Sequence, residues 1–485
     1  MAYKHGVYVG EVPTSIISPV EATAGLQVVV GTAPVNLAES KEYVNKPLLA
    51  YSYSEAVQAL GYSNDWDNYT LCEAMYAAFS LYGVAPIVFI NVLDPSVHVE
   101  EVTGNEVDIS NGKVNIDTEG VLLDTIKVKL TAAGEAYLTK DTDYVASFDD
   151  EGRVVIAVIP GGEIPAEQTS LWASYSKLDP GKVTVTDIVG GVDIETGDLT
   201  GLELVNSVFP KFGLVPGSLL IPKFSKNPMV EAVMKAKAGV VNTYFKAIAL
   251  VDVDSTEANN YSKVSEWKNQ NNYTAANEVV CWPKIALGDN VFHLSTQLAS
   301  LMNQVDSQYG DIPYKSPSNE ALQMNKMVLE DGKEVNLGPD QAAYLNGQGI
   351  VTALNFIGGW KAWGNRTGTY PAVSDVKDSF IPVRRMHNWV SNTIILTTWQ
   401  KVDDPTNRRL IDTVVDSLNI WLNGLTAEGA LIGGRVEFRS EENPITDLLN
   451  GIVRFHVFLA EPTPAESIEF TLEFDATYYN QLFAV

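Results

Sequence analysis

Cysteine is scarce: Cys72 and Cys281 are the only two among 485 residues. So few exclude a disulfide framework and fit a reducing compartment. Histidine is scarce too. His5, His98, His293, His387 and His456 stand far apart, with no HExxH and no i,i+4 pair for zinc. No apolar run reaches the ~18 residues of a membrane span, so no membrane insertion is expected. The opening MAYKHGVYVGEVPTS lacks the layout of a secretory signal. Positive charge is short: 33 Lys and Arg face 60 Asp and Glu, a net charge of −27. No Lys/Arg cluster exceeds a pair, so direct nucleic-acid binding is not expected. Copies of so acidic a chain repel one another, and self-assembly should respond to salt.

Catalytic signatures are also missing. There is no GxSxG elbow and no GxGxxG after a strand. Gly112, Gly181 and Gly332 precede lysines, but Val, Val and Glu follow where a P-loop needs Ser or Thr. Asp252 and Asp254 close an apolar strand, where α/β enzymes often place carboxylates. One reading is a metal site or a catalytic acid. The other, adopted here, is a polar strand end that caps the next helix, since no nucleophile stands nearby in sequence. No enzyme activity, cofactor or metal is expected.

What is present is core-forming material, 46% apolar residues, spread over about three domains' length. Residues 1–24 read as an extended arm, interrupted by Pro13 and Pro19. From residue 25 the pattern is β-α-β. LQVVVGTAP is a strand buried on both faces. Ser52 with Glu55, and Thr70 with Glu73, suggest capping boxes for helices ending at Gly61 and Gly83. Residues 94–195 change character and hold about 20 acidic and 7 basic residues, roughly half the net charge. Asn111-Gly112 and the stretch from Asp149 to Gly152 suggest two hairpin turns.

The α/β pattern resumes with the strands SLLIP, FKAIALVDVD, EVVCWP and GIVTALNF. Alternation with helical segments predicts a sheet flanked by helices. The expected fold is therefore an α/β core domain (25–93 plus 196–363) with an inserted small all-β domain (94–195). An α+β C-terminal domain (364–475) and a C-terminal arm (476–485) follow. In that last part, DDPTNRRLIDTVVDSLNIWLNGL is the clearest helix, with Asp404 as N-cap and Pro405 as its first residue. Arg408 and Arg409 lie near its positive end, where cations cost roughly 0.3–1 kcal/mol without compensation. Asp412, one turn on, supplies a local account. An acidic partner surface is the other.

The final stretch alternates strictly. Ile468, Phe470, Leu472 and Phe474 point one way and Glu469, Thr471, Glu473 and Asp475 the other, the period of a strand. Such a strand is a template for pairing with another chain.

Several stretches together resemble the contractile tail sheath proteins. HGVYVGEV is similar to their PGVYV-type opening, although His5 stands where proline is usual. GWKAWGNRT (359–367) resembles their VWGART-type junction. FIPVRRMHNWV (380–390) resembles their VRR segment, and GIVRFHVFLAEPTPAESIEFTLEF (451–474) their closing segment. YSKLDPGKVTVTDIVGG (175–191) is similar to the return from the inserted domain. The resemblance implies subunits stacked as hexameric rings around an inner tail tube, contracting without nucleotide hydrolysis to drive the tube through a cell envelope. It implies partners: further copies, the tube protein, and baseplate and tail terminator proteins. It places the chain in bacterial host cytoplasm during assembly, then in a virion or phage-tail-like particle.

The resemblance further implies strand exchange through terminal arms. Candidates are Val7, Tyr8 and Val9 at one end, and Ile468, Phe470, Leu472, Phe474, Tyr478, Tyr479 and Phe483 at the other. Pairing within the subunit is the competing expectation for 468–474. Residues 405–425 would face the tube, giving Arg408 and Arg409 an acidic partner. Rival readings are a baseplate or tube component, or an α/β hydrolase.

Overall fold

The computed structural model describes residues 17–149 and 151–483. Val7, Tyr8 and Val9 lie outside the described residues.

An eight-stranded sheet forms the centre. Its order runs from Trp360–Trp363 through Ile350–Asn355, Glu278–Cys281, Ile248–Asp252, Ser218–Leu220, Gln27–Gly31 and Ile87–Asn91 to Pro47–Ala50. The six inner strands are parallel and the two edge strands antiparallel. Buried Val and Ile fill these inner strands because helices cover both faces. The strands predicted for this sheet are all present, and the first strand is buried at every position.

Local signals held where no tertiary partner competed. Ser52 Oγ accepts the Glu55 N–H at 3.3 Å, and that helix ends at Gly61 with φ 76°. Thr70 and Glu73 do not form the second expected capping box. Thr70 lies inside its helix and its Oγ1 accepts the Thr32 N–H, while Glu73 turns to His293. Asp404 and Pro405 do not open the last long helix. It runs Arg408–Ala427 and is capped by Asn407, whose Oδ1 accepts the Leu410 N–H at 3.0 Å. Asp404 is spent in the preceding turn, where Lys401 contacts it.

Residues 99–178 carry two three-stranded sheets around their own apolar cluster, with Val114, Ile116, Ile156 and Leu171 fully enclosed. Asn111 and Gly112 both have positive φ, as the turn chemistry requires. The strands on either side of that turn nevertheless separate into different sheets, so the hairpin is limited to one bridge. Tyr144–Phe148 and Val154–Val158 do form a hairpin. Val183 and Ile188 already pack in the large core, ahead of residue 195.

A third cluster joins helices Ile381–Thr398 and Arg408–Ala427 to a two-stranded ribbon, Gly433–Glu437 with His456–Ala460. Val414, Leu418, Trp421, Leu422 and Leu425 give the second helix its buried face. The helical pair is clamped to the central unit by Arg385, which donates two hydrogen bonds to Asp306 in full burial.

Candidate assembly interface

Two places concentrate polar or unpaired groups: the carboxyl ends of the central strands and the two chain ends. At the strand ends, His293 pairs through Nδ1 with Glu73 at 2.7 Å, and its Nε2 accepts the Lys223 N–H at 3.1 Å. Both ring nitrogens are therefore engaged, and neither is free to activate a hydroxyl. Asp252 accepts the Ser295 N–H at 3.1 Å and the Ser295 hydroxyl. Burial pushes its carboxyl pKa upward. Ser295 donates to this carboxylate rather than to an imidazole, which is the wrong partner for a nucleophile. Asp252 thus caps helix Leu294–Gln308, a later helix than expected, and Asp254 holds the Thr256 turn. The cluster binds elements together and holds no activated nucleophile.

The described start of the chain lies across the helical pair. The Ile17 N–H donates to Ser417 Oγ at 2.8 Å, Val20 to Thr397 Oγ1 at 2.9 Å and Ala22 to Thr393 Oγ1 at 3.0 Å. Trp389 Nε1 donates to the Ala22 carbonyl at 2.7 Å. Trp421 Nε1 donates to Glu21. Without a neighbouring strand, this extended segment has its backbone satisfied by hydroxyls and an indole.

The other end is held differently. Asn419 binds both backbone groups of Val436, donating to its carbonyl at 3.0 Å and accepting its N–H at 2.8 Å. That side chain occupies the backbone groups of Val436 on strand Gly433–Glu437. No strand lies on the outer side of His456–Ala460 among the described residues. Beyond this strand no residue through Asp475 belongs to a helix or pairs with another strand. The competing expectation, strand pairing of 468–474 within the subunit, finds no partner strand among the described residues. Ile468, Phe470, Leu472 and Phe474 are exposed, Leu472 to 96%. A free-standing strand leaves both its ladder groups and its apolar side chains in water. Residues 476–483 are not extended but form a short 3-10 helix opened by Asp475, with Tyr478 and Tyr479 exposed. Phe483 ends it.

Arg408 pairs with Asp412 at 2.9 Å while remaining mostly exposed. Arg409 lines a shallow hollow with Ile17, Asp404 and Asn407. The partners of the N-terminal segment (Ser417, Thr397, Thr393 and Trp389) and Asn419, which binds the ribbon, were missed from sequence. Their only signal was polar residues interrupting otherwise apolar helix faces.

No family model matches the chain. Among curated proteins, the tail sheath protein of Burkholderia phage BcepMu is 28% identical over 501 residues, covering 98% of each chain. The tail sheath protein of Escherichia phage P2 is 24% identical, covering 55% of this chain and 65% of its own. Among solved structures, the contracted helical sheath of the anti-feeding prophage aligns with a TM-score of 0.59 over 98% of this chain and all of its own, at 16% identity. The contracted sheath of the PVC extracellular contractile injection system aligns at 0.58 over 99% of both chains, at 15% identity. Over its full length the chain is similar in sequence to a phage tail sheath protein, and in fold to the sheaths of contractile injection systems.

Proposed function

We propose that this sheath subunit assembles as stacked hexameric rings around an inner tail tube and contracts without nucleotide hydrolysis. In this reading, the energy that drives the tube through an envelope is stored in the extended polymer. The observation that carries the reading is the alternating apolar tail left bare beside an open strand edge in the same molecule. Each satisfies what the other lacks: backbone ladders for affinity and alternate side chains for register. Since the tail has no strand partner among the described residues, a neighbouring copy's His456–Ala460 edge is the proposed host. Residues 1–16 would supply a second such strand through Val7 and Val9.

The division into arm, core, inserted unit, assembly unit and tail given above is part of this proposal, as is an outward position for the acidic inserted unit. Helix Arg408–Ala427 is proposed to face the tube, with Arg408 and Arg409 meeting acidic groups there. Baseplate and tail terminator proteins would close the two ends of the polymer, first in host cytoplasm and then on the particle.

Deleting residues 476–485 should leave a folded monomer that polymerises poorly, read by electron microscopy and thermal melting. Loss of the cooperative melting transition would place the tail in its own core and defeat the reading. Charge reversal at Arg408 and Arg409 should weaken tube attachment while empty sheath still forms; full attachment would remove the tube-facing assignment.

A further inference from the structure

We infer that Arg366 is the positioning residue of the C-terminal tail: it makes Glu466 the last anchored residue, and so sets where and in which direction the free strand leaves the subunit. This rests on the strand-exchange reading above and adds to it.

Arg366 is itself firmly held. Its backbone pairs with Phe380, and the neighbouring Thr367 N–H donates to the Ser379 carbonyl at 3.0 Å. Its guanidinium carbon lies 3.6 Å from the Phe380 ring centre and 4.3 Å from that of Tyr370. Nη1 donates to Ser379 Oγ at 3.1 Å. The remaining donors form a fork: Nε reaches Glu466 Oε1 at 3.0 Å and Nη2 reaches Oε2 at 2.6 Å. A two-point fork on a stacked guanidinium fixes the orientation of the carboxylate as well as its place.

A second anchor precedes it. Glu461, just after the ribbon strand, is buried against His387 Nδ1 at 3.0 Å. Between the anchors runs Glu461-Pro-Thr-Pro-Ala-Glu466. Pro462 and Pro464 restrict this stretch to extended backbone, spanning roughly 15–17 Å. The chain between the anchors is therefore a stiff rail. From Ser467 to Phe474 no backbone hydrogen bond is made among the described residues, and the apolar side chains stand in solvent. The change from held to free falls within one residue. A strand launched in a fixed direction has less freedom to lose when it docks, so the latch speeds capture by the next subunit.

The full-length chain can be labelled with nitroxides at two introduced cysteines, Ser374→Cys on the exposed loop near the latch and Glu469→Cys on the tail. Cys72 and Cys281 are buried with their thiol pKa values pushed up, Cys72 to about 12, so they do not compete for label. With the latch intact, the spin–spin distance distribution should be narrow. Glu466→Ala should broaden it and slow polymerisation about threefold to tenfold, with an unchanged melting temperature. Arg366→Lys, which keeps the charge but loses the fork and the stack, should do the same; Glu466→Asp should recover part of the rate. An unchanged distribution in Glu466→Ala, or polymerisation at the full rate, overturns the latch. A chain lacking 467–485 separates the two ideas. If it polymerises normally, strand exchange itself fails. If it does not polymerise while Glu466→Ala is indistinguishable from the parent, the latch alone fails.

Discussion

Residues 17–24 and 467–475, towards the two ends of the chain, are both free of helix and sheet, yet they meet opposite fates. Residues 17–24 are absorbed by their own helices, with Ile17, Ala22 and Ala24 buried and backbone donors satisfied by Ser417, Thr397 and Thr393. Residues 467–475 have a better strand pattern and no host among the described residues. Strand propensity did not decide which segment found a partner. Availability of complementary polar groups at home did: the first segment has a row of hydroxyls under it, and the second has none.

Breaking the docked end should produce the largest effect. Trp389→Ala removes a buried indole, its bond to the Ala22 carbonyl and its contact with Trp421, and should cost about 3–5 kcal/mol by denaturant titration of the monomer. Acid offers a control far from both ends. Glu330 is held by Lys284 and Lys226, and its carboxyl pKa lies at about 2 instead of 4.5. A depressed folded-state pKa stabilises fully above the unfolded value and is lost as pH falls from about 4.5 towards 2, an effect of the order of 2 kcal/mol. Glu330→Gln should flatten that limb of a stability–pH curve and leave both ends as they were. Thr393→Val is a finer probe of the docked end, removing the acceptor of the Ala22 N–H at a cost of about 1 kcal/mol. At the free end, Phe470→Ala with Leu472→Ala should change monomer stability by less than about 0.5 kcal/mol while impairing polymerisation. A large loss of monomer stability from that pair would erase the contrast between the ends.

These fates also explain what could be read from sequence. Continuous apolar runs such as Val28–Val30 and Ile248–Val251 announced the central sheet, because burial on both faces leaves no other composition. The alternation at 468–474 was legible as well, but nothing in it says whose sheet it joins. Local caps failed where distant residues outbid them: Glu73 was taken by His293, 220 positions away, and Thr70 by Thr32. The latch was the least legible feature. Arg366 and Glu466 each lay in a stretch already noted for its resemblance to the family, but their meeting across 100 positions is a property of the fold. Asn419 likewise resembles any helix-surface amide until the ribbon edge beside it is seen.

Under the proposed strand exchange, that amide would set the subunit's functionality in the polymer chemist's sense. In the proposed strand exchange, with one ribbon edge occupied at Val436, the C-terminal tail and the remaining edge would amount to one donor and one acceptor per monomer. Such monomers grow as unbranched, directional strings. Cross-linking into a net requires a second donor, for which residues 1–16 are the candidate, and a second acceptor, which the outer edge of a newly added strand would itself provide. In this scheme links would form in sequence, each strand creating the place for the next. Replacing Asn419 would open a second direction of growth, and disordered gels in place of tubes.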